Sequence, residues 1–112
     1  MSPRSWEVRV LDMLQAVDEI AEIITGLDAE HFKKDRKAIL ATVTCIQIMG
    51  EAANHIPADI REKYPDMPWS QIRGMRNRIA HEYFEIDSDI VWVTCKNDLQ
   101  KLKPVLLKML VK

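Results

Sequence analysis

Charged and hydrogen-bonding side chains are concentrated between residues 73 and 83 of this 112-residue chain, in the stretch RGMRNRIAHEY. Three arginines against one glutamate make the stretch locally positive, whereas the whole chain has 16 Lys and Arg, 17 Asp and Glu, and a formal net charge of −1. The guanidinium group is a planar fork of donors that matches phosphate oxygens, which a lysine ammonium does not reproduce. The composition therefore predicts a local phosphate site, without a general positive field for nucleic acid.

Helical spacing decides which of these side chains can act together. On a helix, Asn77 and His81 lie one turn apart, while Arg76 and Tyr83 share a nearby edge two turns apart. Arg76 and His81 are separated by roughly 140° around the helix axis. These two residues can reach one substrate only from its two sides, or where a partner chain closes the site.

The order Arg, four residues, His, one residue, Tyr resembles the Arg-x4-His-x-Tyr motif of the HEPN superfamily, specifically the HepT toxins. The resemblance extends over most of the chain, in four blocks with the order and similar separations of HepT-type proteins. By itself, the spacing of Arg and His is a weak signal, and the surrounding blocks make it specific. The four blocks are IMGEAANHIP, REKYPDMPW, IRGMRNRIAHEYF and DIVWVTCKNDL.

This resemblance implies an all-α, HEPN-like bundle that forms a homodimer and brings the motifs of two chains together in a cleft. It implies metal-independent cleavage of RNA, with no cofactor, by the toxin of a type VII-like toxin–antitoxin system. Arg76 and His81 would be the catalytic residues. The implied partner is a minimal nucleotidyltransferase, the MntA antitoxin, which neutralises the toxin by attaching AMP to the motif tyrosine, here Tyr83.

The chemistry of such a site needs proton transfer and charge stabilisation, because RNA supplies its own nucleophile, the 2′-hydroxyl. His81 can act as general base or acid, since an unperturbed histidine has a pKa near 6.5. Arg76 would hold the scissile phosphate and oppose charge that develops on its oxygens. Asn77 would orient His81 or a phosphate oxygen. Arg73 and Arg78 are candidate phosphate contacts, although either can instead pair with surface carboxylates.

Two further features bear on this function. Gln47, Glu51 and Asn54 form a polar stripe that would face the cleft and support Arg76 or His81, or would simply be exposed. Many relatives have glycine where this chain has Glu82, and a carboxylate directed at phosphate would repel RNA. Glu82 therefore favours an alternative, a non-catalytic nucleotide- or RNA-binding module that serves as acceptor and regulator of the nucleotidyltransferase. A structural helical dimer without a ligand is the third hypothesis.

The apolar spacing predicts an all-α, up-and-down bundle with four main helices and one or two short ones, in a single domain over residues 1–112. The segment DIVWVTC is rich in β-branched residues, but no second strand is available to pair with it. The predicted helices run from about Ser5 to Thr25, from Asp28 to Lys33, from Asp35 to about His55, from Ala58 to Tyr64, from Ser70 or just before it through the motif, and from about Ser88 with a kink or restart at Pro104.

The remaining reactive side chains have no pattern of their own. Cys45 and Cys95 form no Cys-x-x-Cys pair, so we expect buried free thiols in a reducing compartment. His31 and His55 fit no common zinc spacing and are predicted to be surface residues. The sequence has neither the apolar run of a signal peptide nor a membrane-spanning stretch, which predicts a cytoplasmic protein.

Overall fold

The computed structural model describes residues 5–79 and 87–111, and among these it describes no side chain of residues 76–79. Within this part of the chain the secondary structure is helical and contains no strand, which confirms the all-α prediction. The helices are α1 (Trp6–Ile24), α2 (Ala29–Lys34), α3 (Arg36–Asn54), α4 (Ala58–Lys63), α5 (Trp69–Ile79), α6 (Ser88–Val93) and α7 (Lys103–Leu110).

The first three helices start where the sequence predicted, and each start has a side-chain cap. Ser5, Asp28 and Asp35 each accept a hydrogen bond from the backbone N–H three residues later, at 3.4, 2.8 and 3.0 Å. Such bonds pair amides that have no partner within the helix. Gly26 ends α1 with a φ of 81°, the left-handed conformation that glycine adopts without a Cβ penalty. Local chemistry therefore determines these boundaries.

Helix α3 is the centre of the bundle, because it packs against α1 and also against α5. Helix α7 packs on α1 and extends the core on that side. Helix α2 inserts Phe32, which is fully buried and lies against Trp92 of α6 with ring centroids 5.2 Å apart. The buried side of α3 consists of Ala38, Ile39, Thr42, Val43, Cys45, Ile46, Met49, Gly50, Ala52 and Ala53.

The C-terminal helical rod, residues 88–110, is less regular than the sequence predicted. It begins at Ser88, and its last helix, α7, begins next to Pro104, as expected. Between α6 and α7, however, the chain forms a π-helical turn over Thr94–Asp98 and a 3₁₀ turn over Leu99–Leu102. Buried positions nevertheless recur at helical spacing along the whole rod: Val91, Cys95, Leu99, Leu102, Leu106 and Met109. Core packing thus maintains one apolar face through the irregular turns.

The corner between α4 and α5 is fixed by the tryptophan that begins α5. The indole Nε1 of Trp69 donates to the backbone oxygens of Arg61 and Tyr64, each at 3.1 Å. Met67, in the same corner, is buried. These contacts set where α5 starts, and that start at Trp69 agrees with the sequence prediction of Ser70 or a residue just before it.

Both cysteines are free and buried, as predicted. Burial raises the pKa of the Cys45 thiol to about 11, and the negative charge of Glu19 raises it further in the same direction. Burial also raises the pKa of Cys95 to about 12. Because the thiolate is the reactive form, neither side chain is a nucleophile at neutral pH. Among the described helices, none combines the length and apolar character needed to cross a membrane.

Two glycines give opposite expectations for stability. Replacing Gly26 by alanine should lower the free energy of unfolding by about 1 kcal/mol, because its left-handed backbone disfavours a Cβ. The matched change Gly74→Ala lies within α5, where an added Cβ meets no described atom within 4 Å, and should raise stability by about 0.5–1 kcal/mol. Urea unfolding of the two variants measures both effects, and equal shifts would contradict this description of the backbone.

Candidate functional site

Helix α5 is anchored to the end of α3 by a hydrogen bond between side chains. The guanidinium Nε of Arg73 donates to Oδ1 of Asn54 at 2.7 Å, and Asn54 is the last residue of α3. Since α5 packs along α3 and this contact lies early in α5, α5 runs back along α3 in the opposite direction. Its backbone therefore carries positions 76–79 towards the turn of α3 that contains Gly50 and Glu51.

The polar stripe of α3, Gln47, Glu51 and Asn54, is exposed. Its residues lie beside two different helices, α1 and α5. Gln47 and Glu51 line a shallow groove together with Arg9 and Asp12 of α1. Asn54, which the sequence also grouped in this stripe, instead contacts α5 through Arg73. The structure thus gives Asn54 a role in positioning α5. A supporting role of Glu51 and Asn54 towards Arg76 and His81 stays a prediction.

Several residues of the motif have only a backbone description or none. Arg76, Asn77 and Arg78 lie in α5, and their side chains are outside the described part of the structure. His81, Glu82 and Tyr83 lie outside the described residues altogether. The arrangement of imidazole, guanidinium and phenol around one substrate is therefore still a prediction from the sequence.

The two other histidines are exposed, as the sequence predicted. Nδ1 of His31 lies 2.7 Å from Oδ1 of Asp28, and the backbone N–H of His31 lowers the pKa of that carboxyl below its ordinary value. Nδ1 of His55 donates to the backbone oxygen of Glu51 at 2.8 Å. Within the described ranges, no three His, Cys, Asp or Glu residues come close enough to hold a metal ion.

Sequence reasoning missed a second group of polar residues beside Arg73. A shallow cradle at the α4–α5 corner is lined by Ala58, Arg61, Glu62, Trp69, Ser70 and Arg73. Arg61 lies within the block REKYPDMPW, which was singled out only for its resemblance. Arg61 is close to α5 because the chain turns through Pro65 and Pro68. The spacing of residues in the sequence does not reveal the direction of that turn.

Comparison with known proteins identifies the family to which the chain belongs. The family model described as Ribonuclease HepT-like matches residues 13–109, a range that contains the whole motif and helices α3 and α5. The chain belongs to the HepT-like ribonuclease family. The resemblance inferred from four sequence blocks is thereby confirmed, together with the HEPN-like fold class.

Relatives of this HepT-like chain cover nearly its full length. A protein of Methanocaldococcus jannaschii, named as a candidate RNase, is 35% identical over 103 residues, which are 92% of this chain and 89% of the relative. A protein of Thermococcus cleftensis named "Probable ribonuclease HepT" is 33% identical over 100 residues, 89% of this chain and 91% of its own. A candidate RNase of Caldanaerobacter subterraneus is 34% identical over 100 residues. No solved structure matches the chain.

The bond between Arg73 and Asn54 should give a measurable coupling energy. A double-mutant cycle of Arg73→Ala and Asn54→Ala should show about 0.5–1 kcal/mol of coupling in the free energy of unfolding. Either substitution alone removes this short hydrogen bond from a charged donor, so the second substitution cannot remove it again. Arg36→Ala combined with Asn54→Ala is the control pair, since Arg36 begins α3 at its opposite end. Additive effects in the Arg73 cycle would show that this bond does not fix α5.

Proposed function

We propose that this chain is an endoribonuclease and the toxin of a toxin–antitoxin system, acting on RNA in the cytoplasm. The observation that carries the proposal is the family match over residues 13–109, because it includes every residue of the Arg-x4-His-x-Tyr pattern. The word ribonuclease or RNase in the names of full-length relatives supports the same activity. The locally positive stretch on α5 supports a phosphodiester substrate.

In the proposed mechanism Arg76 binds the scissile phosphate and stabilises the charge that develops on its oxygens as the 2′-hydroxyl attacks. His81 removes the proton of that hydroxyl or donates a proton to the leaving oxygen. The attack forms a bond between the 2′-oxygen and phosphorus and breaks the bond to the 5′-oxygen. A 2′,3′-cyclic phosphate and a free 5′-hydroxyl are the products.

The mechanism favours a homodimer for a geometric reason. Arg76 and His81 would be separated by roughly 140° around a continued helix, so one copy of the pair encloses a substrate poorly. Two copies facing each other supply an imidazole on each side of the phosphate, and these can divide the roles of acid and base. We therefore place the proposed site in a cleft between two chains.

Control by a nucleotidyltransferase would act on Tyr83. An AMP attached to the phenol oxygen adds a bulky anion beside Arg76, where it competes with the RNA phosphate for the guanidinium. The modification therefore blocks access and reduces the positive charge of the site in one step. An MntA-like enzyme, bound to the toxin as a hetero-oligomer, is the proposed source of AMP.

Glu82 is the observation that favours a second candidate function, a binding module without nuclease activity. A carboxylate next to the proposed general base repels RNA phosphate if it faces the cleft. Purified protein that binds RNA but releases no 2′,3′-cyclic ends would support this candidate. If Glu82→Gly then restored cleavage, the carboxylate itself would be the cause.

Replacing His81 should abolish cleavage and leave the fold intact. His81→Ala is expected to lower the rate of RNA cleavage in EDTA by about 10²–10⁴-fold, since a general acid–base group is removed. The control is His31→Ala, an exposed histidine on α2. Circular dichroism of both variants confirms folding, and a folded His81→Ala protein with full activity and full toxicity would contradict the mechanism.

Replacing Tyr83 should separate activity from control. Tyr83→Phe removes only the acceptor oxygen, so the variant should still cleave RNA and inhibit growth but gain no AMP mass when co-expressed with the nucleotidyltransferase. Tyr64→Phe is the matched control, because Tyr64 is the other tyrosine of the chain and caps α4. Peptide mass spectrometry locates the modification, and AMP found on Tyr64 instead would refute the assignment.

A further inference from the structure

The cradle at the α4–α5 corner brings together two arginines from different helices. Arg61 comes from α4 and Arg73 from the second turn of α5, and both line the same concave surface. Ser70 contributes a hydroxyl, and Trp69 contributes an apolar wall whose N–H is already bonded to backbone oxygens. Glu62 is the acidic residue among those that line it.

The two guanidinium groups have donors to spare. Nε of Arg61 is buried and has no hydrogen-bond partner among the described residues. Arg73 uses Nε for Asn54, which holds its guanidinium in place and leaves its two terminal nitrogens available for other hydrogen bonds. Across the described ranges, neither arginine has a carboxylate within ion-pair distance, Glu62 included. Two guanidinium groups without a paired carboxylate on one concave surface favour an anionic ligand there.

The start of α5 adds to this positive surface. The helix has 11 residues and begins at Trp69, and its first two residues, Trp69 and Ser70, both line the cradle. The N-terminal end of a helix carries partial positive charge and favours anions. The arginines carry the argument, and the helix end acts in the same direction.

We infer that this cradle binds a backbone phosphate of the RNA substrate, beside the phosphate that is cut. The inference rests on the proposed function and assigns to it a second phosphate subsite, formed by Arg61, Arg73 and Ser70. Arg76 follows Arg73 by one turn of α5, a rise of roughly 5 Å, so the subsite and the proposed cleavage site can hold neighbouring phosphates of one strand. Glu62 weakens binding at the rim.

An RNA strand suits the cradle better than a free nucleotide does. The cradle is shallow, and its one aromatic wall has no free polar group for reading a base edge. Recognition therefore depends on phosphate charge and is independent of sequence, as for backbone contacts in general. A strand that continues to Arg76 gains both contacts at once, which a mononucleotide cannot do.

The test measures binding of a labelled single-stranded RNA to the His81→Ala protein, which should not cut it. Adding Arg61→Gln should weaken binding about three- to fivefold and reduce the slope of log K against log salt by about 0.7, the effect of one lost phosphate contact on a single strand. Arg36→Gln is the matched control, because this exposed arginine lies at the far end of α3. It should leave affinity and slope unchanged.

Glu62→Gln gives an independent result if Arg61→Gln unfolds the corner, since Glu62 is exposed. This variant should tighten RNA binding about twofold. Unchanged affinity and slope in both variants would overturn the subsite, while loss of cleavage in His81→Ala would leave the proposed function standing. Competition by AMP as strong as that by RNA, and lost in Arg61→Gln, would assign the cradle to a free nucleotide and overturn the inference. Absence of any RNA binding would overturn both proposals.

Discussion

The structure depends on burying α3 on two sides at once. Large apolar side chains are buried along α3 as far as Met49, whereas the small residues Gly50, Ala52 and Ala53 are buried near its end. Gly50 precedes Asn54 by one turn and therefore lies on the side where Asn54 meets α5. Small residues allow close approach of two helices, so α5 can lie along α3 without leaving a void. The exposed side of α3 carries polar residues such as Gln47 and Glu51 together with the apolar Leu40 and Ile48.

Features that depend on neighbours close in the sequence could be predicted, whereas features that depend on contacts between distant residues could not. Ser5, Asp28 and Asp35 cap their helices through neighbours three residues away, so type and spacing were sufficient to place them. The π-helical turn at Thr94–Asp98 has no local signal in the sequence, where the one evident helix breaker of this segment, Pro104, comes later. The contact of Arg73 with Asn54 spans 19 residues and depends on the corner between them. For the site, the sequence supplied the motif and its family, while the cradle appeared only in three dimensions.

Charge in this protein is organised locally. A chain with a net charge of −1 attracts a polyanion weakly at long range, so the proposed affinity for RNA would depend on a few individual arginines. Arginines 61, 73 and 76 stand on two consecutive helices that share one corner. Salt screens exposed charges of this kind, so the proposed RNA binding should weaken with ionic strength more steeply than the net charge of the chain suggests.

Residues 80–86 are joined at both ends to the core of the bundle. The chain enters them from α5, which is docked on α3, and leaves them through Asp87, whose carboxylate caps α6 next to the buried Val91. Trp92, one residue further on, lies against Phe32. Both flanks of this segment are thus held by contacts with the bundle. Loss of either anchor, the docking of α5 or the Asp87 cap, would therefore disturb the proposed site without changing any of its own residues.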